Sequence, residues 1–134
     1  MRSHFLRDLS IHGKEAILQT LPDFDFYNLR QVTSFEWSSE PDVVSERSAV
    51  DFTLIAVYHD SDRDSISTVR VRCSDVKQLK LPELGAAFFL TEIELEDISI
   101  HQLEGVRYRL KDFGESQFEV LCGKIELTFC DSGV

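Results

Sequence analysis

What most constrains the fold of this chain is a change of period near residue 30. Beyond it, apolar and polar residues alternate every second position, which puts one set on each face of an extended strand. Thr33, Phe35 and Trp37 alternate with Val32, Ser34 and Glu36, so 30–37 reads as a strand with an aromatic inner face. Pro41 to Glu46 reads as a loop. Asp51 to Tyr58 is apolar on both faces, as a central strand is. His59 to Ser65 is a polar turn, and Ile66 to Cys73 turns Val69, Val71 and Cys73 inward against Thr68, Arg70 and Arg72. A short strand over 76–81 carries Leu79 and Leu81. Phe88 to Ser99 reads as one long strand, with Phe89, Thr91, Ile93 and Leu95 inward and Glu92, Glu94 and Glu96 outward. Val106 to Lys111 alternates again. At Gly123 the inward set passes from Phe118, Val120 and Cys122 to Ile125, Leu127 and Phe129. Such a phase change marks a bulge or tight bend, so 117–129 is two strands or one strand broken at Gly123.

Only the N-terminal segment has helical spacing. Ile17, Leu18 and Leu21 share a stripe, Gly13 precedes them, and Pro22 stops the helix, giving a helix over 13–21. The fold class that follows is mainly β: an antiparallel sandwich or curved meander of about seven to eight strands with one short N-terminal helix.

One register can be derived. If 88–99 and 106–111 form an antiparallel hairpin, placing Ile93 and Leu95 on the face of Val106, Tyr108 and Leu110 makes the numbers of opposed residues sum to an odd value. The same choice sets Glu92, Glu94 and Glu96 against Arg107, Arg109 and Lys111. A slip by one residue would bury the charges.

The chain has 134 residues, the size of one domain, taken as 1–134. Its 14 Lys and Arg face 24 Asp and Glu, for a net charge of −10. That charge repels phosphates and argues against nucleic acid and anionic membranes, and favours a basic protein partner. The longest apolar runs, Leu54–Tyr58 and Ala86–Leu90, fall short of the about 20 residues that cross a bilayer as helix. The N-terminus lacks the apolar core of a secretory signal. Cys73, Cys122 and Cys130 include no C-x-x-C and are odd in number, which reads as free thiols in a reducing cytoplasm.

Candidate chemistry is sparse. Asp60, Asp62 and Asp64 have the first spacings of a calcium loop, but Ser65 stands where that loop needs Gly and Val71 where it needs Glu. An Asp- and Ser-rich hairpin turn explains them without a cation. His4, His12, His59 and His101 share no metal-ligand spacing, no nucleophile or phosphate-loop motif occurs, and no cofactor or metal is indicated. Asp23, Phe24, Asp25, Phe26 and Tyr27 form an aromatic and acidic segment with two readings. The phenylalanines anchor the helix to the core, or the segment is a contact patch for a basic partner.

The C-terminal half has a distinctive order of words: Val76–Leu81, Thr91–Ile98, Gln102–Tyr108, Lys111–Phe113, then Phe118–Leu127. It resembles a group of small bacterial mainly-β proteins and, more loosely, the immunity-protein families of bacterial polymorphic toxin systems. The resemblance implies a mainly β domain with a short N-terminal helix, cytoplasmic residence, no cofactor, no catalytic residues and binding of a toxin domain. The favoured function is therefore a non-catalytic, acidic protein-binding domain that neutralises a basic toxin domain. Its contact surface would be Asp23, Phe24, Asp25, Phe26 and Tyr27, with Asp60, Asp62 and Asp64 as a second acidic site. Two alternatives are a small-ligand or enzymatic β domain, whose concave site would gather Tyr58, His59, Arg107 and Tyr108, and a homo-oligomer paired through an apolar edge at 86–90.

Overall fold

The computed structural model describes residues 2–42, 47–60, 64–82, 88–98 and 105–130. Among them are ten strands: β1 (Arg2–Ser3), β2 (Leu29–Asp42), β3 (Arg47–Asp60), β4 (Ser65–Ser74), β5 (Gln78–Lys80), β6 (Phe88–Phe89), β7 (Ile93–Asp97), β8 (Tyr108–Asp112), β9 (Glu119–Cys122) and β10 (Lys124–Phe129). They form two five-stranded antiparallel sheets, a larger one ordered β10-β4-β3-β2-β6 and a smaller one ordered β1-β7-β8-β9-β5. The mainly β expectation holds. The strand count exceeds it because β1 pairs with β7 at the N-terminus and because the expected strand over 88–99 is two strands in different sheets.

That division has a local cause. Phe88 is buried against β2, and Leu90 donates its N–H to Arg30 O at 2.7 Å. The next two residues are captured from the other sheet, where the Asp112 carboxylate accepts from Thr91 N at 2.9 Å and Glu92 N at 3.0 Å. The inward phase changes there from Phe88 and Leu90 to Ile93 and Leu95, so Phe89 points outward and is 56% exposed, against the expectation that it faces in. Both strands still bury their inward residues in one core that the two sheets enclose.

The β7–β8 register is the one derived from the sequence: Glu94 faces Lys111, Leu95 faces Leu110 and Glu96 faces Arg109. Gly123 is the corner where the chain passes from β9 in the smaller sheet to β10 in the larger, and its N–H donates to Ser74 O at 3.0 Å. Phe52, Leu54, Ala56, Val69, Val71, Ile125 and Leu127 of the larger sheet pack with Leu95, Leu110 and Val120 of the smaller in one core. Cys73 and Cys122 are both buried, and the neighbouring Cys122 thiol together with burial holds the Cys73 thiol well above its ordinary pKa.

Helix α1 (Lys14–Thr20) occupies the expected place, one residue shorter at each end. Gly13 caps it at a φ of +85°, and a Cβ there would lie 1.9 Å from Leu127 O of β10. The helix start therefore rests on the strand backbone, with Ile17 wholly buried beneath it.

The β2–β3 hairpin is longer than expected. Pro41 and Asp42, read as loop, belong to β2, where Pro41 pairs with Ser48 and Asp42 with Arg47. Register shifts between Leu29 and Gln31 and between Val32 and Ser34 change which residues of β2 face inward. Val32 faces Ala56 on the core side, and beyond the second shift Phe35 faces Leu54 and Trp37 faces Phe52.

Candidate functional site

The 23–27 segment divides by burial. Phe24 and Phe26 are each 1% exposed and meet edge to face at 5.2 Å, while Phe24 stacks on Tyr58 at 4.5 Å. Both side chains lie in the core and offer nothing to a partner. Asp25 caps a short 3₁₀ turn, Phe26–Asn28, by accepting from Tyr27 N at 2.9 Å. It also lies 2.7 Å from His4 Nδ1, and its own N–H donates to Tyr58 Oη at 3.1 Å. The His4 ring stacks on Tyr27 at 3.8 Å. Tyr27 Oη donates to Glu94, which also pairs with Arg2 at 3.0 Å. This hydrogen bond to a carboxylate, helped by desolvation and the negative charge nearby, pushes the phenol up to about 12. Of the segment's acids, Asp23 is the open one: its side chain is 84% exposed, 3.8 Å from Arg7.

The second acidic site lies on the β3–β4 turn. Asp60 closes β3 opposite Ser65, Asp64 is exposed with a φ of +49°, and Asp62 lies outside the described residues. Since Leu29 pairs with Tyr58 and Asp60 with Ser65, both acidic segments sit at one end of the larger sheet.

The residues of the small-ligand alternative do not converge. Tyr58 is buried on the core side of β3, while His59, its neighbour in the strand, is exposed. Arg107 and Tyr108 belong to the other sheet, where Tyr108 Oη donates to Ser10 O at 2.8 Å. They line an open groove of ≈ 300 Å³ with Ser10, His12 and Glu15. A larger groove, ≈ 440 Å³, crosses the outer face of the larger sheet between Ser34, Glu36, Asp51, Thr53, Arg70 and Arg72. Of the apolar edge at 86–90, residues 86 and 87 lie outside the described residues.

The opposite end of the larger sheet holds what the sequence reading missed. Every residue of β2 from Thr33 to Ser39 is exposed. Phe35 and Trp37 face the core side, as the aromatic inner face requires, yet they are 40% and 61% exposed. Among the described residues, none covers that part of the core-side face. The rings are continuous with the core: Phe35 lies 6.0 Å from Phe52 and 6.2 Å from Phe88, and Phe88 lies 5.8 Å from Phe118. The signal was present in the sequence. Ser39, the next core-side position after Phe35 and Trp37, is polar and marks where the inner face stops being core.

Charge is distributed unevenly. Across the smaller sheet basic and acidic residues alternate strand by strand: Arg2 pairs with Glu94 at 3.0 Å, Arg109 with Glu96 at 3.3 Å and with Glu119 at 3.6 Å, and Lys80 with Glu119 at 3.8 Å. That face neutralises itself. The hairpin from Ser34 to Asp51 carries Glu36, Glu40, Asp42, Glu46 and Asp51 in its sequence against Arg47, with Asp51 paired to Arg72 of β4 at 3.0 Å.

No curated protein and no solved structure matches the chain. A family model does, that of Immunity protein PIM8, over residues 24–128. The match begins at the buried Phe24, takes in both sheets through nearly all of β10, and leaves β1 and α1 outside. The chain thus belongs to the Immunity protein PIM8 family.

Proposed function

We propose that this immunity protein is a non-catalytic, protein-binding domain that acts in the cytoplasm by neutralising a basic toxin domain through contact. Family membership carries the reading, since an immunity protein works on a partner protein. The net charge of −10 supports a basic partner, because opposite fields speed encounter and disfavour wrong partners. At the acidic end of the larger sheet, Asp23, Asp60 and Asp64 contribute to that field, with Asp25 and Tyr27 held behind them by His4 and Glu94.

The experiment is affinity capture on the immobilised full chain from lysate of its native host, at low and high salt, with mass spectrometry of the retained proteins. A basic toxin domain held at low salt and weakened at high salt supports the proposal, as does loss of its killing activity when the chain is added. Retention of an acidic partner, or none at either salt, rejects it. In the charge reversals Asp23→Lys and Asp64→Lys, association should slow by a fewfold while dissociation stays the same, because acids outside a buried contact act mainly on encounter.

A further inference from the structure

We propose that the β2 arm of the larger sheet, with Trp37 as anchor and Phe35 as its base, is the surface that seats the toxin, in an apolar pocket rimmed by basic residues. This rests on the toxin-binding reading and deepens it by naming the surface. Three observations carry it. Trp37 is 61% exposed and Phe35 40%, although both lie on the core side of their sheet. Adjacent exposed aromatics within a polar rim mark interaction sites, and tryptophan is the residue most enriched among binding hot spots. The pair is also preorganised. The strand register fixes the backbone of Trp37 opposite buried Phe52, and the Phe35 ring leans on Phe52 and Phe88, so the base of the patch loses little freedom on binding.

Charge selects the occupant. Glu36 stands between the two aromatics in sequence and on the other face of the same exposed strand, where it adds to the field at the rim of the aromatic patch, and the chain as a whole carries a net charge of −10. A second copy would bring the same acidic hairpin and another net charge of −10 to the contact, whereas a basic toxin surface would complement both.

Trp37 is the chain's one tryptophan, so its emission reports on this surface alone. The probe is the purified toxin domain retained in the capture experiment, titrated into the full chain while Trp37 emission is read, and in parallel by calorimetry against variants. The expected result is a saturable blue shift. Trp37→Ala should weaken binding by about thirtyfold or more, the size of a hot-spot loss. Trp37→Phe should recover part of it. Glu36→Lys should weaken binding several-fold and flatten its salt dependence. Both sites are exposed, so unchanged circular dichroism and melting temperature will show that the fold is intact.

If Trp37→Ala binds within roughly twofold of wild type and Asp23→Lys with Asp64→Lys abolishes binding, the contact lies at the other end of the sheet. That result overturns this inference and leaves the toxin-binding reading standing. If Trp37 emission shifts with the chain's own concentration and sedimentation shows a dimer, the occupant is a second copy and the inference falls. If the wild-type chain retains no toxin, the reading beneath the inference fails with it.

Discussion

Asp112 is 3% exposed and accepts hydrogen bonds from Thr91 N and Oγ1, Glu92 N, Gly114 N and Ser116 Oγ. Desolvation alone would raise its pKa, but the donors from Ser116, Glu92 and Thr91 together outweigh it and hold the carboxyl below the usual range. A depressed carboxyl contributes stability above its unfolded pKa, near 4, and loses it as pH falls through the lower folded value. Asp112→Asn should therefore flatten the acid limb of the stability curve below about pH 4, measured by urea unfolding across pH. Asp112→Ala should cost about 3 kcal/mol, since it strands several buried donors. Tyr27 shows the opposite sign. Its raised pKa favours the neutral phenol in the fold, so its contribution is present below its unfolded pKa near 10 and lost as pH rises toward about 12. The ultraviolet titration of wild type minus Tyr27→Phe should have its midpoint near 12. Among the thiols, iodoacetamide should label native chain at Cys130 alone and all three cysteines after unfolding, because Cys73 and Cys122 are buried. Mass spectrometry of the two states checks this. The inward positions of Cys73 and Cys122 were legible from alternation; the roles of Asp112 and His4 were not, because Thr91 and Glu92 on Asp112, and Asp25 on His4, lie some twenty residues away in sequence and meet them only in the fold.

Elements were legible where one period ran without interruption. β3, β4, β8 and α1 stand where the alternation and the helical stripe put them, and the β7–β8 register followed from requiring core and charge to agree. Reading failed where a register shift or a sheet change kept the pattern intact but redirected it. The shift after Val32 brings Val32 to the core side as well as Phe35 and Trp37, and the crossing between Phe89 and Ile93 turns Phe89 outward. The 23–27 segment is the same error reversed: aromatic and acidic residues in a short connection look like a contact patch, but Phe24 and Phe26 fill the core. Gly13 tests the element scale directly. Gly13→Ala strains a positive φ and drives a methyl into Leu127 O, so it should destabilise by more than about 1 kcal/mol. A fall in melting temperature, with the β signal of circular dichroism kept below the transition, is the expected outcome.

At the scale of the molecule, charge and apolar surface are separated. The outer face of the smaller sheet is laced by ion pairs, and one end of the larger sheet presents exposed rings in an acidic hairpin. Arg109 bridges Glu96 and Glu119, whose side chains are 26% and 13% exposed, so these pairs are half-buried. The variant Arg109→Ala should lower stability by about 1–3 kcal/mol, because it leaves two partly desolvated carboxylates without that donor, and leave toxin binding unchanged; calorimetric melting and titration check the two parts. The net acidity that suggested a basic partner was visible in composition, whereas its placement required the strand register.

The order of strands also has a kinetic consequence. β2, β3 and β4 are sequential neighbours joined by short turns, while β10 closes on β4 and β1 on β7 only after long stretches of chain, as in Arg2 against Glu96. Closing such loops carries an entropic cost before the contacts repay it, and β topologies rich in distant pairings fold in milliseconds to seconds. The three-stranded meander is therefore the expected nucleus, with the hairpin that bears Trp37 forming before the two sheets close over the core, an order that φ-values across β2, β3 and β4 check.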